Sequence, residues 1–333
     1  MPEDSLGLLI LIIVLAVGLG LVNGFNDAAN AIATVVGTRV LSPRNAIILA
    51  AFCNLAGAAT GLEVAKTIGK GILVPDAVSY LTVIAALAAV IVWGSIATFF
   101  GLPVSITHGF VAGLAAAGVA AVGTEAVVWN VMARVGSSVV IAPILGFIGG
   151  FLLMVILLWL LRRTTPDIIR VAFSRLQWLT AAFMAYSHGK NDGQMPIGVM
   201  TMALVIYTGQ TTLWQNVPWW VIIVSALAIS SGTAIGGWRV IRTLGTRVTT
   251  LRPVHGFAAE AAAATVIEVA SNQGIPVSTT HCISSAIMGV GATRRLSAVR
   301  WGVAGNIVTA WILTFPICGA LGYAFALLLK LIL

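Results

Sequence analysis

The sequence predicts an all-α integral membrane protein built from two inverted repeats, with broken helices, Pro-initiated hairpins or half-helices, and about 10–12 transmembrane segments. Three observations lead there. Hydrophobic residues make up 59% of the 333-residue chain and charged residues only 8%. The apolar runs are helix-length. Three polar landmarks occur twice, in the same order. The first set is Asn26-Asp27, then Gly61-x-x-Val64-x-Lys66-Thr67-Ile68-Gly69, then Pro103-Val104-Ser105-Ile106-Thr107-His108. The second is Asn191-Asp192, then Gly237-x-x-Val240-x-Arg242-Thr243-Leu244-Gly245, then Pro276-Val277-Ser278-Thr279-Thr280-His281, at offsets of 165, 176 and 173 residues. Polar groups repeated inside apolar halves point to the architecture in which secondary transporters hold their site at the repeat interface.

Composition excludes several classes. A soluble domain carries about a quarter charged residues, and here the mean hydropathy is +1.04. The helix-length runs are not the alternating ten-residue strands of an outer-membrane barrel. Net charge is +8, but the arginines sit in short loops between apolar spans. That is the positive-inside pattern rather than a nucleic-acid surface. Cys53, Cys282 and Cys318 lie in apolar segments without metal-ligand spacing and read as small core residues. No basic residue precedes the first apolar run, so Leu6 to Val22 reads as a retained first helix rather than a signal peptide.

The spans follow in order. The first half (1–161) gives 6–38, 45–62, 79–99, 103–122 and 137–161. A basic connector, 162–175, holds Arg162, Arg163, Arg170 and Arg175. The second half (176–333) gives 176–208, 219–238, 255–273, 276–292 and 301–329. The spans 6–38 and 176–208 are too long for one plain crossing and are interrupted by polar residues at Asn23–Asn30 and Ser187–Gln194, so both are expected to break there. The segments at 103 and 276 begin at proline, which suits a helix start, and read either as re-entrant or as full crossings. The connector and the loop 239–252 are strongly basic and belong in the cytoplasm, whereas the uncharged loop 209–218 belongs outside. Each half then crosses five times. An odd count inverts the second copy and places the N-terminus outside a cell membrane that the chain crosses many times.

Asp27 and Asp192 are the first candidate site residues. An ionised carboxylate at membrane depth costs about 2.5–3.5 kcal/mol on insertion scales, so such groups persist where they meet a cation, a proton or water. The pair reads as a cation site, for Na+ or H+, with Asn30 and Gln194 beside it. Amide oxygens coordinate Na+, and amide NH2 groups donate to an anion; Asn26 and Asn191 are placed on the anion side. The repeated Ser-x-Thr-His turns supply the rest of an anion site. Ser105 and Thr107 in one half, and Ser278, Thr279 and Thr280 in the other, fall in a first helical turn where free N–H groups converge. A plain N-cap would explain one hydroxyl per helix, but not the repeated motif. A tetrahedral oxyanion fits that donor inventory. His108 and His281 close the motif as proton relays or as helix ties, and His188 is similar. Glu260, in an Ala-rich span with no repeat mate, is a gate or ion-pathway candidate.

Four of these segments resemble the signatures of the inorganic phosphate transporter (PiT) family of cation-coupled symporters: Gly24-Phe25-Asn26-Asp27-Ala28-Ala29-Asn30-Ala31, Ser187-His188-Gly189-x-Asn191-Asp192-Gly193-Gln194, Gly237-Trp238-Arg239-Val240 and Pro276-Val277-Ser278-Thr279-Thr280-His281. The resemblance runs over nearly the whole chain. It implies a symporter that imports inorganic phosphate with Na+ or H+ by alternating access, with no cofactor beyond the co-transported cation. Sulfate or another oxyanion is the alternative substrate. The implied partners are phosphate, the coupling cation and the lipid bilayer, with a homo-oligomer as a further possibility and no nucleic acid. The chain departs from many relatives in its short connector, in Lys190 where a small residue is common, and in Met195 where a lysine is common. A membrane-embedded enzyme using His and Asp is the reading from another class, but an enzyme has no reason to repeat its cluster upside down. A passive anion channel is disfavoured by acidic residues near the pathway.

Overall fold

A computed structural model describes residues 5–332. The main helices are α1 (Leu6–Gly37), α2 (Pro43–Ala58), α3 (Glu63–Lys70), α4 (Tyr80–Phe100), α5 (Ile106–Val122), α6 (Trp129–Leu160), α7 (Pro166–Asp192), α8 (Gln194–Thr208), α9 (Trp219–Ile235), α10 (Trp238–Arg242), α11 (Pro253–Asn272), α12 (Thr279–Ala292) and α13 (Trp301–Ile332). A wider turn, Thr243–Arg247, prolongs α10. Helix starts follow local chemistry. Ser42 accepts from the Asn45 N–H ahead of Pro43, and Ser79 and Thr82 close a reciprocal capping box on α4. Gly101, at φ 72°, then ends α4 in the left-handed region, where glycine carries no Cβ penalty.

The helices pair in a pattern that survives exchanging the halves. α1 packs on α9 and α2 on α7; α5 packs on α13 and α12 on α6; α4 meets α5 as α11 meets α12. α6 and α13 each run 32 residues, begin at tryptophan and carry one internal proline, Pro143 and Pro316. The crossings are close because small residues sit at them. A Cβ on Gly24 would come within 2.0 Å of the Ile229 carbonyl oxygen on α9, and one on Gly189 within 2.3 Å of the Asn54 carbonyl oxygen on α2.

Four helices (α1, α4, α6 and α13) are long and apolar enough to cross a membrane, and two bent pairs raise that to six. The breaks are not where the sequence places them. α1 runs unbroken through Asn23–Asn30, because the asparagine side chains there reach neighbouring helices and leave the backbone ladder intact. The second expected break is reduced to Gly193 alone, between α7 and α8, at near-helical angles. The sharp bends lie one element later, 71° between α2 and α3 and 63° between α9 and α10. Gly61 (φ 85°) and Gly236 (φ 70°) sit at these bends in conformations that a side chain disfavours.

Other bounds also move. Pro103 and Pro276 do not occupy the first helical turn; residues 102–105 and 275–278 are non-helical, ending in the extended caps Ser105 and Ser278, and helices start at Ile106 and Thr279. α6 begins at Trp129, eight residues before the expected 137. Most of the basic connector is helical, since α7 starts at Pro166.

The two ends of the bundle differ in charge. At one end Gly37 packs on Gly245, Thr243 bonds the Gly101 carbonyl, and Arg300 bonds the carbonyls of Thr246 and Arg247. Nearly all the arginines cluster here. At the other end Trp214 covers Gly69, Leu73 bridges Val127, and Thr67 bonds the Gly274 carbonyl.

Candidate functional site

The half-helices α5 and α12 meet start to start inside the bundle. The Thr280 hydroxyl oxygen lies 3.1 Å from the Val104 carbonyl oxygen, so the two Pro-Val-Ser segments meet. Ser105 and Ser278 act as N-caps, accepting from the N–H of His108 (3.3 Å) and His281 (3.1 Å). Their hydroxyls therefore set the helix starts. The N–H groups of Ile106 and Thr107, and of Thr279 and Thr280, lie in the first turn, where no intrahelical acceptor exists.

The carboxylates face these starts. Thr280 donates to Asp27 Oδ1 (3.0 Å) and Thr279 to Asp192 Oδ2 (2.7 Å), while Thr107 lies 3.4 Å from Asp192 Oδ1. Asn30 Nδ2 reaches the hydroxyls of both Thr279 (3.0 Å) and Thr280 (2.9 Å). Asp27 and Asp192 are buried and, with His188, place ligand atoms within 4.8 Å of one another. His188 Nε2 lies 3.1 Å from Asp192 Oδ2, and its Nδ1 pairs with Asn54 Oδ1 at 2.9 Å. Asn54 in turn donates to Thr233 at 3.0 Å. Among the described residues no lysine or arginine pairs with either aspartate. Two carboxylates this close repel each other unless a cation or proton lies between them.

Helix α1 sets one wall. Asn23, Asn26, Asp27 and Asn30 recur at helical spacing on one face. Each asparagine donates through Nδ2: Asn23 to the Asp192 carbonyl (3.5 Å), Asn26 to Thr98 Oγ1 (2.6 Å), Asn30 to the two threonines. The Oδ1 atoms of all three are buried without a hydrogen-bond partner. A buried amide oxygen left bare has lost its hydration with nothing in return, and a hard cation takes oxygen ligands. Asn191 instead braces the second turn, donating to the Val277 carbonyl (2.7 Å) and to Asp192 Oδ1 (2.7 Å).

Some expected site residues lie apart. Gln194 spans the α2–α3 bend, accepting from the Ala65 N–H (3.1 Å) and lying 3.5 Å from the Thr60 carbonyl. His108 and His281 sit behind the half-helix starts with ring centroids 5.3 Å apart; His281 stacks on Trp311 at 4.0 Å, and His108 lies 3.4 Å from the Ser138 hydroxyl. Glu260 belongs to a separate buried cluster, in which its carboxylate accepts from Thr34, Thr180 and Gln177. Asn54, Thr233 and the partners of Glu260 were not singled out as site residues by sequence. They lack repeat mates of the same type and read as ordinary helix-packing residues.

Comparison with known proteins identifies the family. Residues 23–322 match the phosphate transporter family. A Rhizobium meliloti protein bearing the name "Probable low-affinity inorganic phosphate transporter" is 43% identical over 93% of this chain and 92% of its own. A Bacillus subtilis protein with the same description is 40% identical over 95% of each. A solved structure titled "The sodium-dependent phosphate transporter" superposes with a TM-score of 0.89 at 30% identity, covering 98% of this chain and all of that one. With two half-helices meeting at paired aspartates, and the family match spanning all but the chain's ends, the protein belongs to the phosphate transporter family, a family of multi-pass membrane transporters rather than enzymes.

Proposed function

We propose that the chain imports inorganic phosphate together with Na+ by alternating access. The observation that carries the cation is the set of bare Asn23, Asn26 and Asn30 oxygens beside two buried carboxylates. Na+ can use those carbonyl oxygens as ligands, whereas a proton cannot be shared among them in the same way. Asp27, Asp192, Asn30 and the α1 amides hold the cations. Phosphate sits against the first-turn N–H groups and hydroxyls of α5 and α12, where two helix dipoles present their positive ends. Asn26 and Asn191 fix the approach of the half-helix turns. The solved sodium-dependent relative supports the choice of cation.

Energetics require the coupling. An inside-negative potential of 100 mV opposes entry by about 2.3 kcal/mol per anionic charge, so doubly charged phosphate meets roughly 4.6 kcal/mol before any concentration gradient. Na+ bound with the anion offsets that charge, and it screens the two aspartates so that a third negative group is tolerated beside them.

The halves 1–161 and 176–333, joined by 162–175, act as inverted repeats in the plasma membrane. The exchanged helix pairings support this. The arginine-rich end faces the cytoplasm and the N-terminus lies outside. Radiolabelled phosphate uptake into proteoliposomes under imposed Na+ or pH gradients, with sulfate as competitor, tests the reading. Uptake stimulated by inward Na+ and resistant to sulfate is expected. Uptake indifferent to Na+ would overturn the assignment of the cation, and sulfate accumulating in place of phosphate would overturn that of the anion.

A further inference from the structure

At the arginine-poor end, α3, the start of α6 and the turn before α12 enclose a cavity of about 400 Å³ lined by Glu63, Lys66, Lys70, Arg134, Gln273 and Pro276. Three cations face one opening with a single carboxylate. Glu63 pairs with Lys66 at 2.9 Å, one helical turn away. Lys70 and Arg134 are exposed, and among the described residues neither meets a carboxylate within 4.0 Å. Elsewhere at this end the charged groups are mixed or acidic, with Asp76 and Glu125 in the neighbouring loops. Cations grouped around a concave surface concentrate anions there, because low-dielectric walls focus the field.

The cavity is joined to the transport site by its floor. Thr67 on α3 donates to the Gly274 carbonyl at 2.7 Å. The next residues, Ile275 to Val277, form the non-helical segment that ends at the Ser278 cap, and Asn191 holds the Val277 backbone through both its amide atoms. One thickness of backbone therefore separates the basic cavity from Asp192 and the start of α12. α6 adds a second link, since Ser138, one turn beyond Arg134, lies 3.5 Å from the Pro276 carbonyl and 3.4 Å from His108 Nε2.

We propose that this cavity is an external collecting site for a doubly charged oxyanion, with Lys70 and Arg134 as its two free cations, loaded before the anion passes to the half-helix site. The proposal rests on the phosphate-import reading. It gives the uncompensated cations at the arginine-poor end a task distinct from setting topology. Their two charges match hydrogen phosphate, and the site needs no Na+, because no carboxylate there must first be screened beyond the Glu63 already paired.

Two measurements test it. In proteoliposomes, K70Q/R134Q should raise the KM for phosphate about tenfold at low ionic strength, the low end of steering by a cleft of one sign, with kcat retained. The dependence of KM on ionic strength at fixed Na+, set with choline chloride, should flatten. Wild-type uptake run alongside separates the two claims: no uptake by wild type defeats the transport reading, whereas normal wild-type uptake with an unchanged KM and salt slope in the double variant overturns the collecting site. In the second experiment, Gln273→Cys in intact cells is labelled with a membrane-impermeant maleimide in Na+-free buffer. Inorganic phosphate should slow labelling where chloride at equal ionic strength does not. Equal labelling rates, or no labelling from outside, would overturn the proposal even if the double variant proved unstable.

Discussion

Replacing Asp27 by asparagine removes a buried charge while leaving the shape of the side chain. The Oδ1 that accepts from Thr280 at 3.0 Å is retained, and the substituted side chain has the same outline, so the contact between the Pro-Val-Ser turns persists. What is lost is one of two buried carboxylates whose ligand atoms lie within 4.8 Å of each other and of His188, on the helix that carries the bare amide oxygens. Truncating one partner of a buried, hydrogen-bonded charge pair costs about 2–5 kcal/mol. At about 1.4 kcal/mol per tenfold, this corresponds to a rise of roughly 30- to 3,000-fold in the Na+ concentration that half-saturates uptake. Asp192→Asn should behave alike, with a further loss because Asp192 also accepts from Thr279 and Asn191. The assay is initial-rate phosphate uptake against Na+ in proteoliposomes, with size-exclusion in detergent confirming folded protein. A folded Asp27→Asn protein with wild-type Na+ dependence would show that the carboxylate does not hold the coupling ion, and the cation site would have to be moved.

Three more outcomes follow from the geometry. Ser105→Ala with Ser278→Ala removes both caps, each worth typically ~1 kcal/mol. The double variant should therefore show weaker apparent phosphate affinity than either single one, and equal phosphate curves in all four proteins would remove the half-helix starts from the anion site. Gly189→Ala places a methyl 2.3 Å from the Asn54 carbonyl oxygen, an overpacking of about 1–3 kcal/mol that should lower the thermal midpoint in detergent; an unshifted midpoint would mean that α2 and α7 do not cross this closely. Glu260→Gln turns one of two acceptor oxygens toward an NH2 group facing the donors of Thr34, Thr180 and Gln177. The donor left unmatched costs about 1–3 kcal/mol, read as lower stability, whereas equal stability would contradict the three-donor arrangement.

Much of this protein is legible in the chain because it is repeated. Asn-Asp and Pro-Val-Ser recur at nearly constant offsets, and a motif that must work in two copies stands out against apolar background. Membrane class follows just as directly, since a backbone in lipid must satisfy its own hydrogen bonds and only long apolar helices do so here. The positions of the helix breaks were not legible. Polar residues inside an apolar span look like an interruption, yet Asn23, Asn26 and Asn30 bond to other helices and α1 continues. The actual bends rest on Gly61 and Gly236, whose left-handed backbone leaves little trace in a sequence with many glycines.

By itself, the sequence determined the membrane class and the duplicated motifs that carry Asp27, Asp192 and the two Pro-Val-Ser segments, because each depends on residue type and spacing along one chain. Only the tertiary structure decided that Asp27 and Asp192 meet beside His188, that Gln194 and Glu260 serve other contacts, and that Lys70 and Arg134 border a common cavity. Those facts depend on which helices pack together. Packing is fixed by small residues such as Gly24 and Gly189 that let backbones approach, and that approach joins residues more than a hundred positions apart.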